Sequence, residues 1–289
     1  MRRLLISLAA LALAACSTAP APASPALWRL SDPDTTIYLF GTVHVLPEKL
    51  EWRSPGFDRA FDAADELVLE IADQGDRAAM ARTFAQLALS PDLPPVVERV
   101  PPEKRAAFAA LVERAGLKPA QLDRLETWAA AVTLGASLYA SVGLTPDNGV
   151  ERSLAAGAEA SGKPVTGLET TAQQLGYFDA LPEAAQRQLL ESVIDEAGSV
   201  DRQFAEMLAA WSRGDVEAIA RTFDDELRLS PDLAEALLDR RNQAWVEWLR
   251  QRLDRPGTAF VAVGAGHLAG KGSVIERLEA AGLEVARVQ

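Results

Sequence analysis

The chain has two histidines, and each stands three positions after a glycine at the end of an apolar run. One run is Thr36-Ile-Tyr-Leu-Phe-Gly-Thr-Val-His44; the other is Thr258-Ala-Phe-Val-Ala-Val-Gly-Ala-Gly-His267. Each reads as a buried strand that enters a glycine turn and delivers an imidazole. Two carboxylates have a similar setting: Glu70 near the end of Glu66-Leu-Val-Leu-Glu-Ile71, and Glu169 at the exit of Lys163-Pro-Val-Thr-Gly-Leu-Glu169. In an open α/β sheet, ligands bind in the crevice outside the carboxyl ends of the strands. If these strands are parallel neighbours, His44, Glu70, Glu169 and His267 converge. Two imidazoles with one or two carboxylates make a nitrogen/oxygen donor set for a divalent ion, Mn, Co, Zn or Fe. His44, His267 and Glu70 are therefore the candidate metal ligands. An ion with an open position lowers the pKa of a bound water and polarises a carbonyl. A spare glutamate, Glu70 or Glu169, then takes the water's proton. Gly41, Gly264 and Gly266 let the backbone turn sharply and approach the ion or the substrate closely.

The blander readings stand beside these. The histidines serve equally as buried rings bonded to backbone, and Glu169 as a carboxylate at the start of the helix after Thr170. Arg241 and Asn242 lie on a helical stretch with Trp245, Val246 and Leu249; Arg241 is either a surface ion-pair residue or the holder of a substrate carboxylate or of Glu169. Asp147 is an N-cap or a ligand. The glycine-rich Gly264-to-Gly272 stretch does not have the spacing of a phosphate-binding loop, and no βαβ unit follows it, so nucleotide binding is set aside.

The elements that must place these groups follow from the rest of the pattern. Leu27–Leu30 and Thr35–Phe40 read as strands joined by a turn at Ser31–Asp34. Phe57–Ala64 is a short helix, and Glu66–Ile71 is apolar on adjacent positions, as in a sheet covered on both faces. Helical periodicity runs from about Gly75 to Ser161, broken near Gly116–Pro119, and again from Thr170 to Leu253, punctuated at Pro182, Gly198, Gly214 and Pro231. Two Ser-Pro-Asp strings, at Ser90 and Ser230, are turn or helix-start signals. Ala259–Val263, a helix over Ser273–Ala281 stopped by Gly282, and Glu284–Val288 complete the chain. The implied architecture is α/β: a mixed, largely parallel central sheet with flanking helices and a large helical insertion, about 76–160 and 170–255.

The N-terminus is a targeting segment. Met1-Arg2-Arg3, an apolar run over Leu4–Ala14 and Leu13-Ala-Ala-Cys16 form the pattern of a bacterial lipoprotein signal over residues 1–15, with lipidation at Cys16. Cys16 is the only cysteine, which leaves no internal disulfide and no cysteine cluster. Residues 16–26 are Ala/Pro/Ser-rich and read as a tether. Ser17, in place of the aspartate that retains lipoproteins at the inner membrane, favours the outer membrane, facing the periplasm. A net charge of −12, which deepens once Arg2 and Arg3 are removed, argues against nucleic acid and against direct adhesion to anionic lipid. The lipid at Cys16 would supply the anchor.

Leu39-Phe-Gly-Thr-Val-His44, Leu67-Val-Leu-Glu70, Pro164-Val-Thr-Gly-Leu-Glu169 and Val263-Gly-Ala-Gly-His267 resemble the TraB/GumN family, whose relatives include the Tiki membrane proteases and the pheromone-shutdown proteins. Asp147-Asn-Gly-Val150 and Asp239-Arg-Arg-Asn242 fit it too, and the likeness spans about Trp28–Val288. The resemblance implies a metal-dependent, peptidase-like site on a scaffold similar to haem-binding ChaN lipoproteins and erythromycin esterases. It matches His44, His267 and Glu70 to the metal or catalytic groups, with a peptide or small-molecule substrate. The competing reading is a non-catalytic haem- or peptide-binding lipoprotein.

Overall fold

The structure, a computed structural model, describes residues 23–289 except 49, 73–75, 91 and 228–229, with the side chains of 223–227 also left out. The signal segment and Cys16 lie outside the described residues. The end of the expected tether lies on the protein: Pro25 and Ala26 are buried, and the Ser24 N–H donates to the Ser212 carbonyl at 2.7 Å.

Six strands form one sheet: β1 (Leu27–Ser31), β2 (Thr35–Thr42), β3 (Glu66–Ile71), β4 (Val165–Glu169), β5 (Gly257–Gly264) and β6 (Val285–Arg287). Their order is β4-β3-β5-β2-β1-β6. The β4–β3, β3–β5 and β5–β2 pairs are parallel, and β1 runs antiparallel to both β2 and β6. The chain is thus of the α/β class, with a mixed, mostly parallel sheet. The three parallel junctions bring the carboxyl ends of β2, β3, β4 and β5 to one edge, where the chemistry-bearing residues were expected.

The apolar strands send alternate residues to opposite faces. Phe40, Leu67, Leu69, Phe260 and Ala262 enter one core; Leu39, Val68, Val261 and Val263 enter the other. Both faces are covered, which is why these strands read as unbroken apolar runs rather than alternating ones. The first face is dominated by aromatic rings. Phe57 meets Phe40 at 4.8 Å and Phe260 at 5.3 Å, both edge-on, and Trp52 and Trp211 close the cluster. The indole N–H of Trp211 donates to the Gly41 carbonyl at 2.8 Å, so the ring is packed and satisfied.

Fourteen helices are described: α1 (Pro55–Ala63), α2 (Arg77–Ala88), α3 (Val96–Arg99), α4 (Arg105–Arg114), α5 (Pro119–Leu122), α6 (Thr127–Ser141), α7 (Val150–Ser161), α8 (Thr171–Asp179), α9 (Glu183–Glu196), α10 (Val200–Ser212), α11 (Val216–Leu227), α12 (Pro231–Ala234), α13 (Arg240–Leu253) and α14 (Val274–Ala280). The insert has its own core, where Phe108, Leu134, Leu138, Leu190 and Ile194 pack together. The Ser230 string does start a helix, with Ser230 at the N-cap of α12 and Pro231 in its first turn; the Ser90 string begins none. Between α12 and α13, Glu235–Asp239 winds as a π-helical turn that ends two positions before Arg241. Such turns are rare and are found frequently at functional sites. Among the described residues no helix is long and apolar enough to cross a membrane.

Candidate functional site

β5 lies between β2 and β3, so its last residue faces both. That residue is Gly264, paired with Thr42 of β2. Its missing side chain defines the site. A Cβ there would stand 3.2 Å from Glu70 Oε1, 3.5 Å from His44 Nε2 and 3.6 Å from His267 Cδ2. The two imidazoles, from opposite ends of the chain, therefore lie within twice that last distance of each other, with a carboxylate beside them.

Each group is tightly held. Glu70 Oε1 accepts the Gly264 N–H at 2.7 Å; Oε2 accepts Arg241 Nη2 at 2.5 Å and Gln174 Nε2 at 3.0 Å. Arg241 also clasps Glu169, its Nε at 2.9 and 3.1 Å from the two carboxylate oxygens and its Nη2 at 3.0 Å from Oε2. Its Nη1 donates back to the Leu237 carbonyl inside the π turn, at 3.2 Å, and to His267 Nε2 at 3.0 Å. A guanidinium has no acceptor, so His267 Nε2 is the accepting nitrogen. The proton then sits on Nδ1, donated to Asn242 Oδ1 at 2.7 Å, while Asn242 Nδ2 donates to the Gly272 carbonyl. His44 has a different partner. Its Nδ1 meets Glu151 Oε1 at 2.6 Å, and the same oxygen accepts the Thr42 hydroxyl at 2.5 Å, which leaves Nε2 facing Gly264.

Against this geometry, a profile of the TraB/PrgY/gumN family matches residues 26–287. The chain belongs to this family. It is similar to an uncharacterized protein, YbaP, of Escherichia coli (strain K12), at 25% identity over 241 residues, 83% of this chain and 87% of that one. The Shigella flexneri YbaP gives the same figures. No solved structure matches.

The TraB/PrgY/gumN motifs thus bring together His44, Glu70, Glu169, Arg241, Asn242 and His267. Several of the candidate residues have partners that the sequence left open. Asn242 orients His267 and does not face an open cavity. Glu169 pairs with Arg241 and leaves the cap of α8 to Thr170, whose hydroxyl accepts the Gln173 N–H. Asp147 caps nothing on α7; it lies in a 3-10 turn, ion-paired with exposed Arg77. Gly41 is not among the groups gathered at Gly264; it lies in β2 against Ala265, whose Cα would stand 3.0 Å from a Cβ added there. Gly264 lines the site and Gly266 an adjoining cavity.

Glu151 and Gln174 were not singled out from sequence. Glu151 falls in the first turn of a helix, where an acid ordinarily complements the helix dipole. The available signal was its spacing: Glu151, Leu154 and Ala158 recur at i, i+3 and i+7 on one buried face of α7. A carboxylate inside an apolar stripe needs a partner.

The two rings are driven to opposite protonation states. The ionised Glu151 beside His44 raises its pKa to about 9, against the opposing pull of burial and with help from the Glu151 hydrogen bond and Glu70. The His44 side chain is 65% exposed and lines two cavities. For His267, burial is the largest influence; it outweighs the attraction of Glu70 and, with Arg241 and His44, lowers the pKa to about 3. Burial alone would raise Glu70, but His267, Arg241, His44 and the Gly264 N–H bring it down to about 2. With only two imidazoles in the chain, NMR of untagged protein can read each one separately. His44 should keep its proton below a midpoint near pH 9, and His267 should remain neutral down to about pH 3 or to acid unfolding. Midpoints for both near the ordinary 6.5 would refute this arrangement.

An ion held by both histidines needs a lone pair from each. His267 gives one nitrogen's lone pair to Arg241 and uses the other nitrogen as a donor. Glu70 already accepts three N–H groups. Among the described residues, no group of three His, Cys, Asp or Glu side chains is arranged to hold an ion. The positive charge between Glu70 and Glu169 belongs to Arg241. The donor set as arranged does not fit the three-ligand ion expected from sequence.

Proposed function

We propose that this TraB/PrgY/gumN chain is a hydrolase of the bacterial envelope, anchored by lipid at Cys16 and acting on peptide or related amide or ester bonds. One observation carries the reading: His44 Nε2 and Glu70 meet beside Gly264, with Glu151 behind the ring, and His44 lines two cavities. A water between Nε2 and Glu70 is the nucleophile. In the molecules whose His44 is neutral, a fraction that grows as pH rises toward 9, the water's proton passes to Nε2 as its oxygen bonds to the substrate carbonyl carbon, and Glu151 stabilises the imidazolium that forms. The carbon–nitrogen or carbon–oxygen bond then breaks, and His44 returns that proton to the leaving atom. Arg241 fixes Glu70, and His267 with Asn242 fixes Arg241. The donor geometry favours a reaction run by these groups without a metal ion.

The test is hydrolysis of a peptide panel by the mature protein. His44→Asn should lower kcat/KM about a hundredfold or more while the fold persists. Chelation should leave the rate unchanged. A chelated enzyme that dies and is restored by Mn, Co, Zn or Fe would restore the metal reading. Saturable peptide binding with no turnover would replace the hydrolase with a binding protein.

A further inference from the structure

His44 stands at the boundary of two unlike cavities. One, of about 370 Å³, is walled by Tyr139, Phe204, Met207 and Leu238 together with the 264–267 turn. Tyr139 and Phe204 meet edge-on at 6.2 Å, and Leu238 enters from the π turn. A cavity lined this way takes an apolar side chain. The other, of about 470 Å³, adds Ile71, Met80 and Pro146 to a set of charged groups that the first does not have. Of these, Glu70 pairs with Arg241, which lies outside the lining, Glu151 with His44, and Asp147 with Arg77. That leaves Arg152, on the first turn of α7, without an ion-pair or hydrogen-bond partner among the described residues. Among the described residues that line this cavity, it is the one charged side chain without such a partner.

We infer that the substrate is a peptide with an apolar side chain on the acyl side of the cleaved bond and a free carboxylate on the leaving side, bound by Arg152. This deepens the hydrolase reading above and rests on it for the position of the bond. The physical reason is complementarity. The apolar cavity removes hydrocarbon from water, and a guanidinium with no internal partner recognises a carboxylate through paired N–H donors. An uncharged leaving group would make no use of Arg152. An acyl group with a charged side chain would have to lose its hydration among Phe204, Met207 and Leu238.

The experiment uses N-acetylated dipeptides on the mature protein. Leucine or phenylalanine against aspartate is placed on the acyl side, each with a free or an amidated C-terminus. For the wild type, amidation should lower kcat/KM about tenfold, and aspartate on the acyl side should lower it at least as much. Arg152→Gln, an exposed position outside the proton-transfer groups, should lose about tenfold on the free acid and nothing on the amide. Equal hydrolysis of acid and amide by the wild type, or an equal loss on both in Arg152→Gln, overturns the proposal. Calorimetric binding of the same four peptides to His44→Asn separates the two hypotheses. Acid-over-amide preference that persists there, and vanishes in the His44→Asn/Arg152→Gln double variant, supports the site even if no peptide is turned over. Absence of that preference refutes it whatever the catalytic result.

Discussion

Arg241→Met should lower the free energy of unfolding by about 3–5 kcal/mol, a loss read by chemical denaturation. The side chain is 8% exposed and joins Glu70 and Glu169, each 5% exposed. Removing it leaves two buried carboxylates facing each other and His267 Nε2 without a donor. Only that loss of a partner makes the effect large, because a well-made buried pair contributes little over an apolar substitute. Glu169→Gln in the same background should therefore recover part of the loss. Its neighbour provides the contrast. Arg240 pairs with Glu235 in an exposed contact, so Arg240→Met should change stability by about 0.5 kcal/mol or less. A similar response at both positions would mean that the buried network is not formed as described.

Gly149→Ala should cost about 3 kcal/mol and disrupt the site together with the fold. The backbone of Gly149 has φ −61° and ψ 154°, open to any residue, so the penalty comes from space alone. An added Cβ would stand 2.3 Å from the His44 carbonyl oxygen and 3.0 Å from its carbon. Neither atom can swing aside like the end of a flexible side chain. The start of α7 must instead draw away from residues 43–44, weakening the Val150 N–H bond to the Val43 carbonyl and the Glu151–His44 contact. The His44 midpoint should then fall from near 9 toward 6.5, on the same NMR signal. Gly176→Ala, within α8 and with nothing inside 4 Å of its Cβ, should stabilise by a few tenths to about 1 kcal/mol. Destabilisation at both positions would point to a general intolerance and not to the proximity of His44.

The convergence of His44, Glu70, Glu169 and His267 was legible in the sequence because strand ends and glycine turns are local signals. Parallel pairing, inferred from apolar runs, then brings those ends to one edge. The partners of the two rings were less legible. Glu151 sits on a helix whose first turn welcomes any acid, and only its place in the Leu154–Ala158 stripe marks it. Arg241 was legible as a holder of Glu169, but not as the cation that also engages Glu70 and His267. Its aim depends on the π turn over Glu235–Asp239, and nothing in Glu-Ala-Leu-Leu-Asp marks such a turn in sequence. The expected metal set rested on residue types, on their place at strand ends and on the family resemblance, none of which shows which lone pairs stay free. The tautomer of His267, set by Arg241 on one side and Asn242 on the other, is a property of the folded neighbourhood.

The placement of β5 has a consequence for biosynthesis. This strand is the shared neighbour of β2 and β3, yet it is the fifth of six to leave the ribosome. Until residue 264 has been translated, the early strands lack their common edge, and the long helical stretch must wait with its sheet-facing side uncovered. The β1–β2 hairpin is local, but joining it to β3 and β4 is a late, non-local event, of the slow kind that high contact order produces. Chains that end before residue 264 lack both Gly264 and His267 and so cannot assemble the cluster at the sheet edge.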